Sequence, residues 1–233
     1  MIKGIIFDYG GTLDSRGVHW SEVLWKGYQN ADVPIDKETF RAAYVEGERA
    51  LARERIIQPQ DNFYTLLHKK VDVEISYLPQ KTDEITRKQW VDNIASYCDN
   101  AARECINEAR PMLEELHEHY PMMLVSNFYG NIDEVLRDYG IRHLFKGIIE
   151  SSVVGIRKPN PTLFRLGIDA LELPPDQVLV VGDSLRKDIE PAELLGCHVL
   201  WLKGKGWTDD EDKQTHPHTI THITQVKDLI KEL

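Results

Sequence analysis

The chain has 233 residues, 42% of them hydrophobic and 28% charged, with a net charge of -10 at pH 7. That balance excludes a disordered chain. A surface this acidic repels phosphate backbones and excludes nucleic-acid binding as the main task, while leaving room for a small phosphorylated ligand held in a local pocket. The length suits one large domain, or a core with a sizeable insertion. Cys98, Cys105 and Cys197 are odd in number and lack the spacing of a metal knuckle, as expected of reduced thiols. No apolar run reaches the ~20 residues of a membrane span. The opening MIKGIIFDYGG has no small-residue cleavage site and reads as a first strand rather than a leader. A cytoplasmic protein with no membrane partner is the expectation.

Short apolar runs are predicted as strands at Ile5–Phe7, Met122–Val125, Gly147–Ile149, Val178–Val181 and Val199–Leu202. Their continuous apolar character predicts burial on both faces, as in a parallel sheet. Residues 15–108 lack such runs. They carry helical patterns instead: SEVLWKGYQNA, DKETFRAAYVEGERALARER, DNFYTLLHKKV and a long stretch from Thr82 to Ala109. Beyond it, PMLEELHEHY places Pro111 at the first turn of a new helix. NIDEVLRDYG and SLRKDIEPAELLG end on Gly140 and Gly196, plausible helix stops. NPTLFRLGIDALEL spaces its apolar residues helically, and THITQVKDLIKEL reads as a short strand or turn and a closing helix. Strand and helix alternate from about residue 110 onward, predicting an α/β fold with a doubly wound, Rossmann-like parallel-sheet core. The expected division is an α/β core at 1–14 and 109–233, with an all-helical domain at 15–108.

Polar side chains collect at the carboxyl ends of four of these strands. Asp8 follows the first, Ser126 and Asn127 the second and Asp183 the fourth, while Lys158 lies one loop beyond the third. Ligands of an open parallel sheet bind outside those ends. Singly, each residue has an ordinary explanation as turn former, helix cap or solvated lysine. Two carboxylates, a hydroxyl and an ammonium delivered in chain order to one crevice do not.

The segments FDYGGTLD, LVSN, GIRKPNP and VVGDSLRKDI resemble the four ordered motifs of the haloacid dehalogenase superfamily. The helical segment after the first strand resembles that superfamily's mobile cap. The resemblance implies a phosphatase in which Asp8 attacks phosphorus to give an aspartyl-phosphate. It implies a magnesium ion held by Asp8, Asp183 and the Gly10 carbonyl, with Asp188 in support. Ser126 and Asn127 would bind the phosphoryl group, and Lys158 would neutralise both it and the nucleophile. The expected substrate is a small phosphorylated metabolite such as a sugar phosphate.

The departure is Gly10, where the superfamily usually has an aspartate that serves as general acid and then base. Such help is worth about 10²–10⁴-fold. Its loss leaves metal binding intact and favours leaving groups that depart without a proton. Two alternatives remain: a non-catalytic phosphate- or metabolite-binding protein, and a metal-independent haloacid dehalogenase. The dehalogenase branch typically lacks the Gly-Asp of the fourth motif, present here as Gly182-Asp183, so phosphoryl transfer is favoured.

His216, His218 and His222 lack ligand partners at zinc spacing. KGKGW at 203–207 lacks the following helix of a nucleotide loop and is expected to be a flexible surface loop. Trp20, Trp25, Trp90, Tyr44 and Tyr97 are assigned to the core of the helical domain, with Trp20 a candidate for the substrate pocket. Arg16 and His19 are loop residues within reach of substrate.

Overall fold

A computed structural model describes residues 1–233. Strands β1 (Gly4–Phe7), β2 (Met122–Ser126), β3 (Gly147–Glu150), β4 (Val178–Gly182), β5 (His198–Leu202) and β6 (Thr219–Ile220) form one six-stranded sheet. Every neighbouring pair is parallel and the order is β3-β2-β1-β4-β5-β6. The chain winds outward from β1 through β2 to β3, then returns to β4 on the other side. The topological switch point therefore falls between β1 and β4, where a ligand crevice opens at the carboxyl edge.

Side-chain alternation assigns the two faces. Ile5 and Phe7 pack into one core with Met122, Leu124, Leu179, Val181, Leu200 and Leu202. Ile6, Met123, Val125, Val178, Val180, Val199 and Trp201 point the other way. Both faces are covered, which is why the strands read as unbroken apolar runs rather than alternating ones.

Between β1 and β2 lie α1 (Trp20–Asn30), α2 (Lys37–Arg53), α3 (Phe63–Ser76) and α4 (Glu84–His117). All four start at side-chain caps: His19 accepts from the Ser21 amide at 3.2 Å, Asp36 from Thr39 at 2.8 Å, Asn62 from Thr65 at 3.0 Å and Asp83 from Thr86 at 3.0 Å. Such caps are worth about 1 kcal/mol each. The residue 108/109 division falls inside α4, which crosses it without a break. Pro111 likewise does not start a helix; it lies inside α4. A proline there forfeits a backbone bond and costs about 3 kcal/mol. Burial of Val91, Ile94, Cys98, Ala102, Ile106, Ala109, Leu113 and Leu116 along one stripe offsets that cost. The same apolar core contains Phe40, Val71 and Ile94 of these helices and Phe7 and Leu124 of the sheet.

The later helices are short: α5 (Ile132–Asp138), α6 (Ser151–Val154), α7 (Thr162–Leu171), α8 (Glu190–Leu194), α9 (Asp209–Lys213) and α10 (Val226–Leu229). Gly140 and Gly196 follow α5 and α8 in the left-handed region, at φ 67° and 87°. Residues Leu185–Ile189 form a single π-helical turn before α8, a rare form that concentrates at functional sites. No helix is long and apolar enough to cross a membrane.

Candidate active site

β1 delivers Asp8 to the switch point, β4 delivers Asp183 beside it, and the π-turn folds Asp188 back beneath both. Oxygens of these three carboxylates lie within 4.8 Å of one another. Lys158 reaches in from the loop after β3. Its ammonium donates to Asp8 Oδ1 and to Asp188 Oδ1, both at 2.6 Å, and its side chain is 2% exposed. The second oxygen of Asp188 accepts from the Ser184 amide at 3.0 Å.

One buried ammonium thus faces three carboxylates. Burial, then the charges of Asp188 and Asp8, push the Asp183 carboxyl well above the usual range. Burial also raises Asp188, opposed by Lys158 and reinforced by Asp8. For Lys158 burial acts downward, but Asp188 and Asp8 outweigh it and the net direction is up, so the lysine stays charged. With all three ionised the cluster carries a net charge of -2, the deficit a divalent cation would neutralise. Three hard oxygen donors fit such an ion.

Two glycines make the approach possible. Gly11 has φ 97°, and a Cβ there would collide with the Asp183 carboxyl. A Cβ on Gly182 would collide with Asp188. Gly10 is different. It is outside the left-handed region, and the nearest atom to a Cβ would be Trp20 Cδ1 at 4.0 Å. Neither backbone conformation nor space requires glycine at position 10.

Ser126 closes β2 and lines the same cleft, whose volume is about 1530 Å³. Asn127 is tied to Lys158: its amide donates to the Lys158 carbonyl at 3.2 Å and its Oδ1 accepts from the Lys158 amide at 2.9 Å. The chain around the lysine is thereby fixed to the end of β2.

Sequence reasoning missed several members of this site. The Thr12 hydroxyl lies 3.3 Å from both Asp8 Oδ2 and Asp183 Oδ1, one proton between two acceptors. Asp14 accepts from the Gly11 amide at 2.7 Å and from Trp20 Nε1 at 2.9 Å, holding the loop after β1. Burial raises its pKa to about 8. Both residues stand in FDYGGTLD, where a polar side chain after a strand was the available signal. The reading of 203–207 as a flexible surface loop is corrected. The Lys205 carbonyl accepts from the His19 amide at 2.8 Å, and the Trp207 ring packs 5.5 Å from Tyr44 and 5.2 Å from His19. Arg41 of α2 stacks over Trp207 at 3.9 Å. This loop joins α2 to the sheet and walls the cleft. Trp20, Tyr44 and His19 also line it, whereas Arg16 turns away to Glu108 at 2.7 Å. Trp25 stacks on Phe40, and Trp90 and Tyr97 pack on the core. His216 pairs with Glu193 at 3.2 Å; His216, His218 and His222 are no part of the acidic cluster.

The sequence model of haloacid dehalogenase-like hydrolases matches residues 2–196. The chain belongs to the haloacid dehalogenase-like hydrolase family. Among curated members, the glyceraldehyde 3-phosphate phosphatase of Methanocaldococcus jannaschii is 36% identical over 101 residues, covering 43% of this chain and 44% of that one. The phosphoglycolate phosphatase of Aliivibrio fischeri is 36% identical over 92 residues, covering 39% and 40%. The alignments span less than half the length of these relatives. The haloacid dehalogenase-like fold extends further. L-2-haloacid dehalogenase from Xanthobacter autotrophicus superposes with a TM-score of 0.59 at 14% identity, covering 100% of both chains. The magnesium-bound HAD-hydrolase YfnB from Bacillus subtilis gives 0.58 at 16%, covering 98% of both. The doubly wound parallel core read from the sequence is the family's fold, and phosphatases are among the chain's relatives.

Proposed function

We propose that the chain is a magnesium-dependent phosphatase acting on a small phosphorylated metabolite through an aspartyl-phosphate on Asp8. The observation that carries this reading is the buried lysine among three carboxylates. Three carboxylates around one ammonium leave excess negative charge in a metal-free site, which would repel a haloacid anion. A phosphoryl site needs those carboxylates, because they hold the cation that makes a dianion tolerable beside Asp8.

Asp8, Asp183 and Asp188, with the Gly10 carbonyl, would hold magnesium. When bound, it supplies positive charge to the phosphoryl oxygens. Asp8 is aimed by Lys158 on one oxygen and Thr12 on the other, which limits its rotation and presents one lone pair to phosphorus. Lys158 stabilises the charge that spreads over the phosphoryl oxygens, and Ser126 with the Asn127 segment binds those oxygens from the neighbouring strand. The helices of residues 15–108 act as the cap that excludes water. Gly10 offers no proton, so leaving groups of low basicity are preferred. Relatives named for glyceraldehyde 3-phosphate, phosphoserine and phosphoglycolate support a compact substrate. The three unpaired, buried cysteines support a reducing compartment.

The test is release of p-nitrophenol from p-nitrophenyl phosphate, with and without magnesium, by the wild type and Asp8→Asn. Turnover that requires both the metal and Asp8 is expected. Turnover that persists in Asp8→Asn, or none in the wild type, defeats the reading.

A further inference from the structure

A second charged cluster lines the same cleft. Lys70 of α3 has a side chain only 6% exposed. It pairs with Glu48 of α2 and donates to the Tyr129 hydroxyl at 3.1 Å. Tyr129 donates in turn to Glu48, 3.0 Å from Oε1 and 3.2 Å from Oε2. Behind them Glu74 is fully buried, its Oε1 4.0 Å from the ammonium and without a hydrogen bond, its Oε2 accepting from Tyr28 at 3.2 Å.

The two carboxylates are unequal. Glu74 is outside the cleft lining and sits behind Lys70 without a hydrogen bond to it. Glu48 is a third exposed, reaches in from the cleft wall, and can swing back to water. It occupies a ready-made receptor for a carboxylate: an ammonium and a phenol hydroxyl converging on one anion, with the Tyr44 ring 5.0 Å from the ammonium. Burial lowers the Lys70 pKa, opposed by the charge of Glu74, so a carboxylate partner is what keeps the ammonium charged in this setting. Tyr129 lies three residues beyond Ser126, a backbone span of at most about 11 Å. Lys70, Tyr129 and Ser126 line one continuous cleft with Asp8 and Lys158, so a single ligand has access to both clusters.

Resting on the phosphatase reading, we propose that Lys70 and Tyr129 are specificity-determining residues that receive a carboxylate on the substrate, displacing Glu48. The substrate class is a compact phosphorylated carboxylic acid. Glu48 keeps the receptor charged and ordered until substrate replaces it. No covalent step is involved; one carboxylate exchanges for another.

The matched pair 3-phosphoglycerate and glycerol 3-phosphate differs only in carboxylate against hydroxymethyl. Binding is read by calorimetry in magnesium on Asp8→Asn protein, so the result does not depend on turnover. The acid should bind at least 10-fold tighter, the value of one charge-assisted contact. Adding Lys70→Met should bring that ratio to near 1. Adding Glu48→Gln, which removes the competing carboxylate and stays at the cleft wall, should raise it by 3-fold or more. A structural role for the cluster predicts equal losses for both ligands and no gain from Glu48→Gln. Equal affinities in the parent, an unchanged ratio in Lys70→Met, a lower ratio in Glu48→Gln, or no binding of either ligand each overturns the proposal. Should Lys70→Met not fold, the Glu48→Gln ratio decides. Failure of p-nitrophenyl phosphate turnover bears on the phosphatase reading alone.

Discussion

Gly10→Asp restores a carboxyl where the structure has room for one. The residue is not in a left-handed conformation, and the new Cβ meets nothing nearer than Trp20 Cδ1 at 4.0 Å. The fold should accept it, with stability unchanged or raised by a few tenths of a kcal/mol through a less flexible unfolded chain. Position 10 is half-buried, so desolvation holds the new carboxyl's proton more tightly than in water, the direction an acid near neutral pH needs. For an alkyl phosphate, whose leaving alkoxide demands a proton, the gain should be about 10²–10⁴ in kcat, or about 3–5 kcal/mol. For p-nitrophenyl phosphate, whose leaving group departs as an anion, proton donation contributes little and the gain should stay under about 5-fold. The assay compares kcat for glycerol 3-phosphate and p-nitrophenyl phosphate in wild type and variant at saturating magnesium. An equal gain on both substrates, or no gain on the alkyl ester in a variant that still binds phosphate and metal, refutes the proton-transfer argument.

Two further predictions concern the surroundings of the site. Burial, then Lys187, Lys70 and Arg41, hold His19 neutral down to about pH 3, whereas an unfolded histidine takes up its proton near 6.5. The unfolded state then binds more protons between those values, so stability falls as pH falls, by up to about 1.4 kcal/mol per unit. His19→Asn keeps an N-cap acceptor for α1 and should lose about 1–2 kcal/mol less than wild type between pH 7 and 5 in urea melts; identical losses refute the assignment. Gly11→Ala puts a methyl against the Asp183 carboxyl at φ 97°; it should cost about 1–3 kcal/mol, a fall of several degrees in Tm, and weaken the response to magnesium at least 10-fold. An unchanged Tm would mean the loop after β1 relaxes freely.

The sheet was legible because strands buried on both faces are written as local runs such as Val178–Val181, needing no knowledge of their partners. The carboxyl-edge residues were legible for the same reason: Asp8 and Asp183 come directly after β1 and β4 in the chain. The π-turn that returns Asp188 to the site was only partly legible, since spacing says that a residue is near but not which way the chain folds. Pro111 misled because its local preference is outweighed by burial along the whole of α4, a tertiary effect. Trp207 misled in the opposite direction: glycine-rich KGKGW looks mobile, yet its partners Arg41, Tyr44 and His19 come from distant segments. Lys70 and Glu48 had no signature at all. On α2 and α3 they read as ordinary polar positions, and only the packing of those helices over Tyr129 buries them.

That contrast comes from how the two halves of the cleft are made. The chemistry at the switch point is fixed by strand ends, and a strand end is a local feature repeated in sequence order. The recognition surface is assembled from helix faces and one loop, so each residue has meaning only in company. Gly10 stands at the junction. Position 10 adjoins the nucleophile, but the nearest atom a side chain there would meet belongs to Trp20, at the start of the helical segment. A carboxyl at that point would face both the leaving oxygen and the pocket that selects it. Leaving the position open removes a proton donor and, with the same change, clears space beside Trp20 for the substrate itself. If the glycine serves the second purpose, Gly10→Asp should raise KM for larger esters even as it raises kcat for small ones. A measurement of the two constants across esters of increasing size separates a lost acid from a widened pocket.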